Sequence, residues 1–341
     1  MSRYAEAHLW SKLNGPGDAR PTAMQIIKDY GKEGALQGKS ILLTGVTSGI
    51  GIPTATALAA TGATLFCAAR STDKAREALS SIANLTSVRF VQLDLSSLAS
   101  VRACATEVLA QTGGKLNMLV NNAGILSAVR KLSADGFEIQ LATNYLGPFL
   151  LFSLLRDALL AAATPGFPSR VINVSSVGHH STPVLLDDMN LERQPNPLVG
   201  YGHSKTAFIH MASEIERRWG ARDLHAWSLQ PGGVHVEEGS GLVVDAGLDE
   251  EMVKKISEPF PAKFFKSAAQ GAATTVWAAV SDETLADGAR GKYLEDCAVA
   301  KPMRETAVEH LFGYADWAYD SESAKSLWDV SEKLVGLKNG A

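Results

Sequence analysis

Between Gly38 and Gly233, short apolar runs alternate with helical stretches without a break, and this order constrains the chain more than any other feature. SILLTG (Ser40 to Gly45), ATLFCAAR (Ala63 to Arg70) and VRFVQLD (Val88 to Asp94) have the length and composition of buried parallel strands, as do LNMLVNNAG (Leu116 to Gly124), RVINVSS (Arg170 to Ser176) and LHAWSLQPGG (Leu224 to Gly233). The segments between them read as helices over Ile50 to Ala60, Asp73 to Ile82, Leu98 to Leu109, about Asp135 to Ala163, and Tyr201 to Trp219. A strand that returns through a helix to pair in parallel does so by a right-handed crossover. The pattern therefore predicts an α/β fold: a single doubly wound parallel sheet, a Rossmann fold, with helices on both faces. A length of 341 residues alone suggests two domains. The unbroken alternation instead reads as one enlarged domain over 38–300, with an N-terminal extension (1–37) and a C-terminal one (301–341). In the first extension, Pro21 is expected in the first turn of a helix that carries Met24, Ile26 and Ile27.

Charge and cysteine usage narrow the function classes. Lys and Arg total 32 against 36 Asp and Glu, a net charge of −4, which disfavours a nucleic-acid partner. Cys67, Cys104 and Cys297 have no metal-ligand spacing, and so sparse a count suits a reducing compartment. MSRYAEAHLW is too polar for a signal peptide. The most apolar run, Tyr145 to Leu155, falls short of the about 20 residues that a membrane span needs. The expectation is a soluble, cytoplasmic protein with no membrane span.

The turn after the first strand reads TGVTSGIG, with Gly45, Gly49 and Gly51. A pyrophosphate can approach backbone N–H groups at a helix N-terminus only where side chains do not block it, and the helix dipole favours the anion. As a bare pattern these glycines also suit a structural turn; their place in the first βαβ unit points to a dinucleotide. An NAD site places an acid at the end of the second strand to accept from the ribose 2′-OH. Here Ala68 and Ala69 precede Arg70, and a guanidinium pairs with a 2′-phosphate, so the expected cofactor is NADPH/NADP+. Arg70 as a solvated loop cation is the plainer alternative.

Tyr201 has a lysine four residues on, Lys205, which puts both on one helix face. A nearby ammonium lowers a phenol toward the pH where it exchanges protons usefully. In isolation such a pair also marks an ordinary surface helix. Here Ser175 and Ser176 end the fifth strand, and Asn121, Asn122 and Gly124 end the fourth, at the sheet edge where ligands bind in such folds. Asn144 lies mid-helix, where asparagine is disfavoured without a reason.

TGVTSGIG, Asp94, NNAG (Asn121 to Gly124), Asn144, VINVSS ending in Ser176, YGHSK (Tyr201 to Lys205) and PGG (Pro231 to Gly233) stand in the order of the short-chain dehydrogenase/reductase family, which residues 38–300 resemble. The long stretch from Ser176 to Tyr201 resembles the retinol-dehydrogenase-like branch. AYD and LWDVSEKLVG near the end resemble its fungal secondary-metabolite members. The resemblance implies an oxidoreductase acting on a ketone or aldehyde, or on the matching alcohol, with a hydrophobic or secondary-metabolite substrate. It implies Tyr201 as general acid and base, Ser176 as hydrogen-bond partner of the substrate oxygen, and Lys205 as the group that lowers the tyrosine and holds the nicotinamide ribose. Asn144 would kink its helix around a water that links Lys205 to solvent. The cofactor would lie along Gly45, Thr47, Ser48, Gly49, Ile50, Gly51, Arg70, Asp94, Leu95, Asn121, Ala123 and Gly124, reaching Pro231, Gly232 and Val234. Ser175 competes with Ser176, because alternation points only one of the pair into the site; the resemblance assigns Ser176. Val236 stands where the family has a threonine for the nicotinamide carboxamide, which leaves that placement open to backbone groups or to Glu237, Glu238 or Ser240. A cofactor-binding scaffold without turnover, or a lyase or isomerase, remains the alternative.

Two long segments, 177–200 and 235–261, are expected to wall the substrate. His179 and His180 read as structural or substrate-facing, not as a metal site, and His235 as a candidate to orient a polar substrate. The tryptophans read as core or docking residues. Tyr314 to Leu334 has helical spacing suited to covering the pocket or an oligomer surface. The family commonly pairs the Asn144 and Tyr201 helices across a two-fold axis, so apolar Phe149, Leu150 and Phe152 allow a homodimer; packing within one chain explains them equally.

Overall fold

A computed structural model describes residues 2–127, 129–193, 195–234, 260–308 and 310–337. The sheet has eight strands in the order β3-β2-β1-β4-β5-β6-β7-β8. They are β1 (Ser40–Thr44), β2 (Thr64–Ala69), β3 (Val88–Gln92), β4 (Met118–Asn121), β5 (Ser169–Val174), β6 (Leu224–Leu229), β7 (Tyr293–Glu295) and β8 (Ala298–Val299). β1 pairs in parallel with both β2 and β4, with Leu42 opposite Phe66 on one side and Leu119 on the other. The order reverses at this point, and the crevice beyond the carboxyl ends of β1 and β4 is where an open α/β sheet receives its ligand. The doubly wound reading holds, with one difference. β8 runs antiparallel to β7, in a hairpin turned by Asp296 and Cys297, both at positive φ (52° and 56°). Strands this short have no readable periodicity.

Helices cover both faces. On one side α1 (Ala23–Asp29), α2 (Gly51–Ala60), α3 (Thr72–Ala78) and the Ala273–Val280 helix share a core with Ile41, Leu43 and Leu65. On the other, α4 (Leu98–Thr112), α6 (Gly147–Ala162), α7 (Pro197–Trp219) and the C-terminal helix Ser321–Leu334 pack around Leu42, Phe66 and Leu119. The strand residues that alternate along β1 thus feed two separate apolar layers.

The N-terminal extension joins the first layer through Ile26 and Ile27, both fully buried. Its helix starts later than expected: the Thr22 hydroxyl caps it by accepting from Gln25 N, so Pro21 stands before the cap. Arg20 pairs with Asp18 at 2.8 Å and donates to the carbonyls of Phe264 and Phe265, tying the extension to the segment after β6.

The helix expected from about Asp135 runs continuously over Ile139–Ala162. It comprises α5 (Ile139–Leu141), a π turn (Ala142–Leu146) and α6, with Asn144 inside the π turn. Its full length and hydropathy would let it cross a membrane, although most of its apolar window is buried in the protein. The length expectation from Tyr145 to Leu155 therefore understated it.

The C-terminal helix settles where Phe149 and Phe152 face. Trp328 lies with ring centroids 4.8 Å from Phe149, 6.1 Å from Phe152 and 5.5 Å from Trp219, and Tyr145 Oη bonds Ser331 Oγ at 2.9 Å. Phe149, Leu150 and Phe152 are fully buried, so the apolar face considered for two-fold pairing is covered from within the chain. Nor does this helix cover the pocket. Trp328→Ala should cost about 3–5 kcal/mol, seen as a lower urea midpoint at constant m-value. The exposed Lys325→Ala, in the middle of the same helix, should leave the midpoint nearly unchanged.

Candidate active site

The crevice at the switch point opens into a cavity of about 420 Å³. Along the strand order, Arg70, Asp94 and Leu95 lie at one end, after β2 and β3, and Gly45, Thr47, Ser48, Gly49, Ile50 and Gly51 at the middle, after β1. Ala123 and Gly124 form its floor, and Ser176, Tyr201, Lys205, Pro231, Gly232 and Val234 its far end. The structure thus gathers most of the residues singled out from sequence.

The glycine turn is built for close approach. Gly45 has φ +75°, and a Cβ there would meet Ala123 Cα at 2.6 Å. A Cβ on Gly51 would run into the Gly45 carbonyl. Gly49 has φ +55° with nothing within 4 Å of a Cβ position. Asn122 laces the two strand ends together: its Nδ2 donates to the Thr44 and Gly45 carbonyls at 3.0 and 2.9 Å, and its N–H donates to Thr44 Oγ1. Asn121, expected at the cofactor, does not line the cavity. It is fully buried, and its amide donates to Asn173 Oδ1 in β5 at 2.9 Å, because the pleat points it into the layer beneath α7. Asn122 takes its place at the wall. Arg70 stands exposed at the end of β2, and the Asp94 carboxylate accepts from Ser96 N and Oγ at 2.9 and 2.6 Å.

At the far end α7 supplies Tyr201 and Lys205. Asn196 caps this helix by accepting from Leu198 N, and Pro197 starts it, earlier than the sequence pattern suggested. Lys205 Nζ donates to Val174 O at 2.9 Å and lies 5.5 Å from the Tyr201 ring centroid. Burial pushes the Lys205 ammonium down to about 7. Burial raises the Tyr201 phenol above its ordinary value, and a hydrogen bond with Ser176 opposes that rise. Ser175 and Ser176 both line the cavity, and their hydroxyls have different partners. Ser175 Oγ donates to Lys205 O at 2.7 Å, locked onto α7, while Ser176 Oγ accepts from Gly178 N at 3.0 Å and stands beside the Tyr201 ring: a Cβ on Gly178 would meet both, at 3.4 and 2.7 Å. Asn144 lies outside the cavity wall. Its Oδ1 accepts from Ile125 N at 2.8 Å, and its Nδ2 donates to Ile125 O and Ser204 Oγ, so it fixes the loop after β4 against α7. It stands near Lys205: a Cβ on Gly124 would meet Lys205 Nζ at 3.0 Å and Asn144 Oδ1 at 3.4 Å.

Several wall residues escaped the sequence reading. Ser96, Ile125, Ile139 and Thr143 line the cavity; position after a strand end could have marked Ser96 and Ile125, whereas Ile139 and Thr143 reach it from α5 and the π turn. Of the two expected substrate walls, 177–200 folds into short 3₁₀ turns at Val177–Ser181 and Leu186–Asp188. His235 and Val236, with the rest of 235–259, fall outside the described residues. No metal cluster occurs among the described residues.

The cavity fits a dinucleotide. The N-terminus of α2 has no side-chain cap, since Ile50 occupies that position, and the glycine cradle brings it against the cavity. Asn122 Oδ1, buried without a partner among the described residues, is an acceptor available beside it.

The comparisons with known proteins agree with this geometry. A family model described as short chain dehydrogenase matches residues 39–242, and the chain belongs to that family of oxidoreductases, whose members use nicotinamide cofactors. The chain is 45% identical over 336 residues to the short-chain dehydrogenase/reductase prx1 of Penicillium roqueforti, covering 98% of this chain and 95% of that one. It is 32% identical over 330 residues to human retinol dehydrogenase 14 (92% and 91%), which sets it in the retinol-dehydrogenase-like branch with fungal members. A solved structure of an uncharacterized protein from Mycobacterium paratuberculosis matches at a TM-score of 0.67 with 28% identity, covering 92% of this chain and 98% of that one.

The buried lysine predicts a pH effect on the cofactor-free protein. Between about 7 and its unfolded value of 10.5, Lys205 binds fewer protons in the folded chain than in the unfolded one, so stability rises with pH. In urea titrations from pH 7 to about 9, Lys205→Met should flatten that rise relative to the unaltered protein. Parallel slopes would contradict the assignment.

Proposed function

We propose that this protein is an NADPH-dependent oxidoreductase that interconverts a ketone or aldehyde with its alcohol on an apolar, secondary-metabolite type of substrate. One observation carries the reading: Tyr201, Ser176 and Lys205 converge at one end of the cavity that the glycine cradle also lines. The bound dinucleotide supplies a hydride from nicotinamide C4 to the carbonyl carbon. Tyr201 gives its hydroxyl proton to the carbonyl oxygen, and takes it back in the alcohol direction. The Ser176 hydroxyl bonds the same oxygen and holds it in line with Tyr201. Lys205 stabilises the phenolate left behind through its charge, and Asn144 keeps the Ile125 backbone from shifting against the pair.

For the cofactor, the wall at Ala69, Arg70 and Asp94 supports NADPH. No acid ends β2, and Arg70 stands where a 2′-phosphate would reach its guanidinium. Ile125, Ile139 and Val174 support an apolar substrate. We place the activity in the cytoplasm. Three sparse cysteines without disulfide or metal spacing support that placement.

Turnover followed by NADPH absorbance with a panel of carbonyl compounds tests the assignment. Tyr201→Phe should lower kcat by about 10²–10⁴-fold. Unchanged activity in that variant would refute the role of Tyr201. Bound NADPH that no carbonyl oxidises would favour a non-redox scaffold. Arg70→Ser should weaken NADPH binding by about 10–100-fold with little change for NADH. Tighter binding of NADH than NADPH by the unaltered protein would refute the cofactor choice.

A further inference from the structure

His179 stands three residues beyond Ser176 and is fully buried. Its Nδ1 lies 2.7 Å from Ser176 O, and its own N–H donates to the same carbonyl at 3.1 Å. On the opposite edge of the ring, Nε2 accepts from Ala315 N at 3.1 Å. An N–H aimed at Nε2 requires that nitrogen to be unprotonated. The proton of the neutral ring must then sit on Nδ1, where it donates to Ser176 O. Burial holds the imidazole neutral, far below its ordinary value. Its titratable neighbours are His180 and Tyr293, with ring centroids 4.5 and 4.9 Å away, and His210.

The segment that fixes the ring comes from the C-terminal extension. Trp317 Nε1 donates to His179 O at 3.1 Å, and His210 Nε2 donates to Trp317 O at 3.0 Å from α7, the helix of Tyr201 and Lys205. Thr206 Oγ1, also on α7, donates to the His179 carbonyl at 3.3 Å. The Ser176 carbonyl is the backbone group that sets how its Cα and Oγ face the cavity. Fixing that carbonyl twice, by backbone and by ring, fixes the hydroxyl that stands beside the Tyr201 ring.

We propose that His179 is a positioning residue for Ser176. The ring carries a fixed tautomer, imposed by Ala315 of the C-terminal extension, that holds the Ser176 carbonyl and so aims its hydroxyl at the substrate oxygen. The proposal rests on the assignment of Ser176 above. It gives the extension beyond residue 300 a catalytic consequence although it does not line the cavity.

Two substitutions separate the two edges of the ring. His179→Asn places an amide N–H where Nδ1 stands and loses the acceptor for Ala315. His179→Gln places an amide oxygen where Nε2 stands and loses the donor to Ser176. Positioning through Ser176 predicts that the Gln variant loses about 10–100-fold in kcat with little change in KM for NADPH. The Asn variant should recover most of kcat despite a lower Tm than the Gln variant. A kcat that follows Tm through the series, or wild-type kcat in both variants, overturns the proposal. Ring ¹⁵N shifts of the unaltered protein give a second reading that needs no variant to fold. A neutral Nδ1–H ring for His179 across pH 5 to 9 supports it, and an Nε2–H or doubly protonated ring overturns it. Tyr201→Phe, run in parallel, keeps the failures apart. Activity in that variant removes the assignment of the site itself, whereas an inactive Tyr201→Phe beside unaffected His179 variants removes only the positioning role.

Discussion

Where β1 and β4 end side by side, Gly45 lies against Ala123 with no space for one added methyl group, and the site depends on that contact. Thr44 and Asn122 lace the two ends by side-chain to backbone bonds, so the sheet reverses its order without leaving its strand ends loose. The same contact brings the uncapped N-terminus of α2 to the cavity and sets Ala123 and Gly124 as its floor. A side chain at Gly45 or Gly51 would separate the strand ends or fill the cradle. Backbone geometry therefore comes first, and the charged and polar groups act on what it leaves open.

α7 is the second fixed element. It is wedged between the sheet and the C-terminal helix, and it carries Tyr201 and Lys205 on one face while its backbone accepts from Ser175. The ammonium buried there carries an electrostatic cost that the Val174 carbonyl offsets only in part, which is why burial dominates its titration. The C-terminal segments complete the arrangement. Trp328 seals the apolar side of α6 and α7, and residues 313–317 bond the turn after β5.

Much of this was legible in the sequence because period and order survive without any knowledge of contacts. The six long parallel strands, the glycine turn and the Tyr201–Lys205 spacing all have local signatures. What was illegible depended on which way a single residue faced, or on pairs far apart in the chain. Asn121 and Asn122 differ only by one step of the pleat, and the step sends Asn121 to Asn173 and leaves Asn122 at the wall. β7 and β8 are too short to show alternation. His179 looked like one half of a histidine pair until Ala315, far along the chain, was seen to set its tautomer. The apolar face of α6 suited a second copy and packing within one chain equally, and Trp328, far along the chain, is what covers it. The choice of Ser176 over Ser175 rests on the family resemblance, and the bond from Ser175 to the Lys205 carbonyl is consistent with it.

The central claim is that a nicotinamide dinucleotide lies along this cavity with its reactive end at Tyr201 and Ser176. A crystal structure of the protein with NADP+ tests it most directly. The account predicts the 2′-phosphate beside Arg70, the pyrophosphate at the Gly45–Gly51 turn, and nicotinamide C4 facing Tyr201. A dinucleotide bound in the reverse direction, or outside this cavity, would contradict it.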